Sequence, residues 1–503
     1  MLPASGTRRQ AGPPPRGWDS PGLPAGAVQR DWIKGTTASN WFDDANWSGR
    51  QYPQNGDTVI IASNATVALT NATAILDSLT VSNATLVFAN LAAQVTATNV
   101  AIYGTVRHSQ NSATTTNASG GWDPNARVTI VCSNFLLASG GRIDANGLGY
   151  YGYYSGLNGN NVGAGPGGGG LWAGGGYGGP GGAGNGGAVY GSTNAPNDPG
   201  SGGGNGNGPN GGNGGGAVVI QATNVVISGV ITADGGPSSG GNYAGGGSGG
   251  SISIVCRTLA GTNGTISASG STSQANGGGG GGGRIATVYD SVAQSNLNQT
   301  ARPTVTFAAN GGRNGWGNRQ NDGRPGSLYF TDSSFFPSTN LQGGRVIIPG
   351  VTDYVFDTLS ITNGMALFEG VSLVVSNDLV VSSTYCGLEL ENSTLVVGRD
   401  LRVLGGLLNL GSAYFPRLTN LLHVGRDLLL TNAAWASVYS GPTNGSATEY
   451  YGALVSVTGS MAVAGDSWVY VYSVSTNGGS PVFLMSNLVV AASGGTNGGF
   501  YAD

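Results

Sequence analysis

Charge is scarce in this chain. Of 503 residues only 20 are basic and 24 acidic, and Lys34 is the only lysine. No basic patch can therefore form for nucleic acid or an anionic membrane surface. The net charge of −4 is too small for strongly electrostatic partners. Four glutamates and 20 aspartates leave little from which to build the paired carboxylates of a glycoside hydrolase or the acidic calcium cluster of a polysaccharide lyase. The sole adjacent acidic pair is Asp43-Asp44, in a segment that reads as turn and cap chemistry. No apolar run reaches the length of a transmembrane helix. His108 and His423 lie far apart, and Cys132, Cys256 and Cys386 show no metal-ligand spacing. No cofactor is expected.

Glycine, in contrast, supplies 94 residues, and the hydrophobic share of 39% argues against wholesale disorder. The apolar residues fall in short β-branched runs of period 2. One unit recurs through the middle of the chain. It reads Val128-Thr129-Ile130-Val131-Cys132 followed by Ile143-Asp144-Ala145-Asn146-Gly147. It returns as Ala217–Ala222 with Ile231–Gly235, as Ser251–Cys256 with Ile266–Gly270, and more weakly as Arg284–Tyr289 with Val305–Gly311. Each copy ends on turn chemistry, and a glycine-rich loop separates it from the next. Units too small to bury their own apolar face stack into an array.

Aligned in this way, Cys132, Ala222 and Cys256 occupy one inward position. Cys132 and Cys256 then lie two strand spacings apart, about 9.6 Å and beyond disulfide reach. Ile220 should face in and Val219 out. From about residue 340 a second repeat begins, a turn followed by Leu-x-Val. It places Leu379, Leu401, Leu428, Met461 and Leu488 at intervals of 22 to 33 residues.

Near the start, Trp41-Phe42-Asp43-Asp44-Ala45-Asn46-Trp47-Ser48, Pro53 and Gly56-Asp57-Thr58-Val59-Ile60-Ile61 resemble the opening segment of parallel β-helix passenger domains in bacterial surface proteins of the autotransporter-adhesin type. The resemblance implies that Trp41 and Trp47 cover the open end of the first coil, where strand edges and core would otherwise be exposed. The glycine runs are similar to those of large secreted bacterial proteins. They also resemble the glycine-rich ligand-binding domain of some receptor tyrosine kinases, which implies packed polyproline-II helices; whether the loops are ordered here is left open by the sequence.

The expected fold is all-β: a right-handed parallel β-helix, or solenoid, with long glycine-rich loop insertions. Residues 1–30 read as a disordered tail or a misassigned start, and 31–140 as the cap and first coils. Residues 141–330 form the glycine-rich repeat region, and 331–503 regular coils that end as if truncated. No secretion signal stands in the chain, and the expected setting is extracellular or at the cell surface.

Two sets of candidate residues follow. Tyr150, Tyr153, Tyr154, Trp172 and Tyr177 in the longest loop either stack on sugar rings or cover the side of the solenoid. Asp378, Asp400 and Asp427 share one repeat position. They either form turns through their own backbone or, stacked, hold a cation that Arg399 and Arg426 would otherwise replace. The functional expectation is a structural or adhesive module that binds polysaccharide or another cell-surface component without catalysis. The alternatives are a polysaccharide-degrading β-helix enzyme and a ligand-free spacer.

Overall fold

The computed structural model describes residues 28–35, 39–62, 64–153, 161–206, 211–239, 243–317, 319–335, 340–384, 386–411, 420–440, 453–472, 480–491 and 497–502. The chain winds as a right-handed parallel β-helix. Its stack opens with Gln29–Asp31 on Thr58–Ile61, and the last pairing sets Trp468–Tyr472 on Gly499–Ala502. Every ladder between the described strands is parallel. No helix among the described residues is long and apolar enough to cross a membrane.

Up to about residue 308 each coil alternates a short strand with a long one. The short strands form one eight-stranded sheet from Ser39–Asn40 to Thr306–Ala308. The long strands, such as Val128–Leu137, Ala217–Ile227 and Ser251–Ala260, stack beside them. Register follows the period-2 pattern: Ala222 pairs with both Cys132 and Cys256, Ile220 is fully buried, and Val219 is half-exposed. All three cysteines are buried and free. Asn99, Asn134, Asn224 and Thr258 form an outer ladder joined by side-chain hydrogen bonds of 2.9, 2.9 and 3.2 Å.

Among the described residues one α-helix, Ser291–Thr300, interrupts the otherwise all-β fold. It is capped by Asp290, whose carboxylate accepts the Ala293 N–H at 2.8 Å. Its buried Gln294 exchanges two hydrogen bonds with the backbone of Leu259.

At the N-terminal end Trp32 and Trp41 pack edge-on against Trp47, with centroids 5.0 and 4.9 Å away. Asp57 of the opening motif is buried and ion-paired with Arg30 at 3.0 Å, and it also accepts the N–H groups of Val28 and Gln54. Asp43 and Asp44 accept backbone N–H groups of Ala45 and Tyr52, which is local turn chemistry.

The described parts of the glycine loops pack against one another. Each of four successive coils sends one loop out between its short strand and the following long strand. The loops then hydrogen-bond side by side in coil order. Gly212 and Gly215 donate to Gly245 and Ser248; Gly246 and Gly249 donate to Gly278 and Gly281; Gly279 and Gly282 donate to Asn321 and Arg324. Bonds recurring every third residue follow the threefold repeat of polyproline II. Neighbouring backbones lie so close that a side chain has no room: a Cβ on Gly214 would sit 1.9 Å from the Gly200 carbonyl oxygen.

Beyond about residue 370 the coils become three-stranded. Ser372–Val375, Leu379–Ser382 and Cys386–Glu391 lie under Thr394–Val397, Leu401–Leu404 and Leu407–Leu410, and the next coil follows in the same register. This is the Leu-x-Val repeat, with each leucine stacked on the next.

Candidate functional site

The strand Cys386–Glu391 is buried along its whole length. Leu388 and Leu390 point into the core, so alternation turns Gly387, Glu389 and Glu391 outward. An outward carboxylate is normally wet. Here the arm formed by residues 309–326, the fourth glycine loop, folds over it, leaving Glu389 only 4% and Glu391 3% exposed. Arg324 of that arm answers both. Its Nη2 donates to Glu391 Oε1 at 2.5 Å and touches Glu389 Oε1 at 2.8 Å, at an angle that leaves the Glu389 oxygen without a hydrogen bond.

The register carries this outer column onward: Glu389 pairs with Asn409, Asn409 with Ser437, and Ser437 with Tyr470. Leu407 and Trp435 run alongside on one flank, Tyr439 and Tyr472 on the other. Trp435 and Tyr470 lie 4.7 Å apart, and Tyr439 and Tyr472 stack at 4.5 Å with 12° between their planes. These four rings are half-buried, so part of each remains accessible.

Between this face and the arm lies a cleft of about 990 Å³, at the upper end of small-ligand sites. The sheet contributes Glu389, Asn409, Ser437 and the aromatic rings; the arm contributes Arg313, Arg319, Asp322 and Arg324. The glycine bundle holds the arm in place, with Gly312 donating to Gly280 at 2.7 Å and Gly323 to Gly312 at 2.8 Å. Arg319 lies over the Trp435 ring, 5.1 Å from its centroid. Asp322 accepts the Asn314 N–H at 2.7 Å, while Asn314 Nδ2 donates to Gly277.

Burial raises the Asp322 carboxyl to about 6, against the Asn314 hydrogen bond and the pull of Arg313 and Arg319. Glu389 is likewise pushed up, chiefly by burial and further by Glu391, against the attraction of Arg324. Glu389 Oε1 and Asn409 Oδ1 are both buried and accept no hydrogen bond.

The residues singled out from sequence lie elsewhere. Tyr150 and Tyr177 are buried, the latter hydrogen-bonded to Ser251 at 2.7 Å and stacked near Tyr190. Tyr153 is half-buried, its N–H bonded to Gly203, and Tyr154 lies outside the described residues. Trp172 is 44% exposed, 5.6 Å from Tyr243, which in turn lies 6.2 Å from the exposed Trp316.

Asp378, Asp400 and Asp427 do stack at one position of successive coils. Asp378 accepts the Asp400 N–H at 3.2 Å, and Asp427 accepts that of Ser460 at 2.8 Å. Arg426 Nε and Arg402 Nη2 meet Asp400 at 2.5 and 2.7 Å. None of the three aspartates lines the cleft. Among the described residues no three histidine, cysteine, aspartate or glutamate side chains converge as metal ligands.

The cleft's signals were present in the sequence as alternation: Gly387-Leu388-Glu389-Leu390-Glu391 and Trp468-Val469-Tyr470-Val471-Tyr472 each put one chemistry outside and another inside. Their meeting with Arg324, 67 residues before Glu391, was not legible.

Residues 46–118 match the family model of the G8 domain. That stretch contains Trp47 and the first coils, and the cleft lies outside it. No curated protein and no solved structure matches the chain.

Proposed function

We propose that this β-helix binds a polysaccharide in the cleft between the outer face of its C-terminal coils and the glycine-supported arm. The observation that carries the reading is the juxtaposition of Trp435, Tyr439, Tyr470 and Tyr472 with Glu389, Asn409 and Ser437 in one cleft, where Asn409 Oδ1 accepts no hydrogen bond. A sugar presents apolar C–H faces to stack on rings and hydroxyl groups to donate to such oxygens.

The charge balance narrows the class. Arg313, Arg319 and Arg324 face Asp322, Glu389 and the adjoining Glu391, so the cleft mixes both signs and is no purely cationic tract for a densely sulfated chain. A neutral polysaccharide fits best. The module would then serve outside the cell or at its surface, where such polymers are met, as the resemblance to surface-displayed β-helices implies.

The test is titration of the full chain with xylan, mixed-linkage β-glucan and galactan, with heparin as contrast, followed by tryptophan fluorescence. Trp435→Ala and Tyr470→Ala should each weaken binding of the preferred neutral polymer about tenfold, near 1.4 kcal/mol. Unchanged affinity in both variants would place the binding elsewhere, with Trp172, Tyr243 and Trp316 the next surface to probe.

A further inference from the structure

The cleft holds more than a binding site needs. Resting on the reading above, we infer that it also hydrolyses the polymer it binds, with Glu389 as general acid and Asp322 as general base. The two carboxyl groups come from different walls, Glu389 from the strand Cys386–Glu391 and Asp322 from the arm. Each is fixed by groups that do not compete for substrate. Arg324 bridges Glu389 to Glu391, and the Asn314 N–H holds Asp322 from behind, itself tied to Gly277. Glu389 lines the cleft with Arg324 Nη2 2.8 Å from its Oε1.

Two glutamates crowded on one strand face with a single arginine between them cannot both ionise cheaply. Burial and the Glu391 charge raise the proton affinity of Glu389, while Glu391 takes the direct hydrogen bond from Arg324. Glu389 is left as the proton carrier. Asp322 faces Arg313 and Arg319, which favour its anion, yet burial keeps its proton affinity near neutrality. Such a pair, with environments that hold protons differently, is what acid–base cleavage of a glycoside uses.

The step balances with water alone. Glu389 gives its proton to the glycosidic oxygen as the bond from that oxygen to the anomeric carbon breaks. Water forms the new bond to the anomeric carbon and passes its proton to Asp322. One water is consumed per cut, a new reducing end appears, and proton exchange with solvent restores both carboxyl groups.

The experiment incubates the full chain with the neutral polymers and with polygalacturonate. It measures binding by tryptophan fluorescence, chain length by light scattering, and new reducing ends in water labelled with heavy oxygen. A bound polymer should shorten, with label in the new reducing ends. Glu389→Gln and Asp322→Asn should each slow cleavage about 10²- to 10⁴-fold, and in Asp322→Asn binding should persist with circular dichroism unchanged. The second variant leaves the Arg324 bridge intact and so separates catalysis from support of the arm. Polymer that binds and stays intact overturns the hydrolase and leaves the binding module standing. Unsaturated ends without label would mean elimination and also overturn it. A panel in which nothing binds removes the binding reading and the hydrolase with it.

Discussion

Glu389 and Asn409 are direct partners on adjacent parallel strands; Arg324 lies 2.8 Å from Glu389 Oε1, whereas the buried Asn409 Oδ1 accepts no hydrogen bond. A buried acceptor without a donor, such as Asn409 Oδ1, costs about 1–3 kcal/mol.

The cost makes a prediction that separates function from support. Asn409→Leu, close to Asn in size, should raise the midpoint of thermal unfolding, because a desolvated acceptor is replaced by apolar surface. It should also weaken polysaccharide binding by about tenfold, the loss of one good hydrogen bond. Stability and binding must move in opposite directions. A variant that is both less stable and weaker in binding would make Asn409 a structural residue, and the vacant acceptor would then have another explanation.

The glycine bundle yields a sharper contrast. Gly214 lies inside it, where a Cβ would meet the Gly200 carbonyl oxygen at 1.9 Å, whereas Gly184 is exposed with nothing within 4 Å of its Cβ. Gly214→Ala should force the layers apart at a cost of at least about 1–3 kcal/mol. Limited proteolysis should then open the loop between residues 149 and 216, while the coils below keep their far-ultraviolet circular dichroism. Gly184→Ala should cleave no faster than the parent chain. Equal protection of the two variants would mean that the layers are not in close contact in solution.

Much of the architecture could be read before any coordinates, and the reason is local. Alternation in Ala217–Ile227 fixes which side chains face in, and the repetition of that pattern fixes what stacks on what. Ile220, Cys132 and Cys256 fell where the period put them. The order of the glycine loops was not readable, because their contacts run between backbones and leave no side-chain pattern. Nor was the cleft. Glu389 and Glu391 sit in a strand whose sequence looks like any other, and only the fold of the arm brings Arg324 and Asp322 to them. Of the long-loop tyrosines, Tyr150 and Tyr177 are buried and supply packing, the covering role that the sequence offered beside sugar stacking. Dense aromatic content in a glycine-rich segment signals what must fill the gaps that glycine leaves.

The aspartate ladder carries the last prediction. Hydrogen bonds from Arg426 and then Arg402 hold the Asp400 carboxyl well below the usual carboxylate range, with burial opposing them. A group whose pKa is depressed by folding stabilises the native state above its unfolded value, near ~3.9. That contribution is lost as pH falls through the interval below it toward the folded value. Asp400→Asn should therefore lower the urea midpoint at about pH 7 and have progressively less effect as the pH drops below about 4. Asp322 and Asp234, whose folded values are raised by burial, bias the pH profile in the opposite sense, but both are common to parent and variant and cancel in the difference. Urea midpoints of the two chains across that range measure Asp400 alone. If the difference between them stays constant with pH, the arginines are not stabilising the carboxylate; if it grows as pH falls, the sign of the linkage is wrong. Convergence at low pH would mean that the fold stabilises the ionised Asp400 carboxyl, as its hydrogen bonds from Arg426 and Arg402 require.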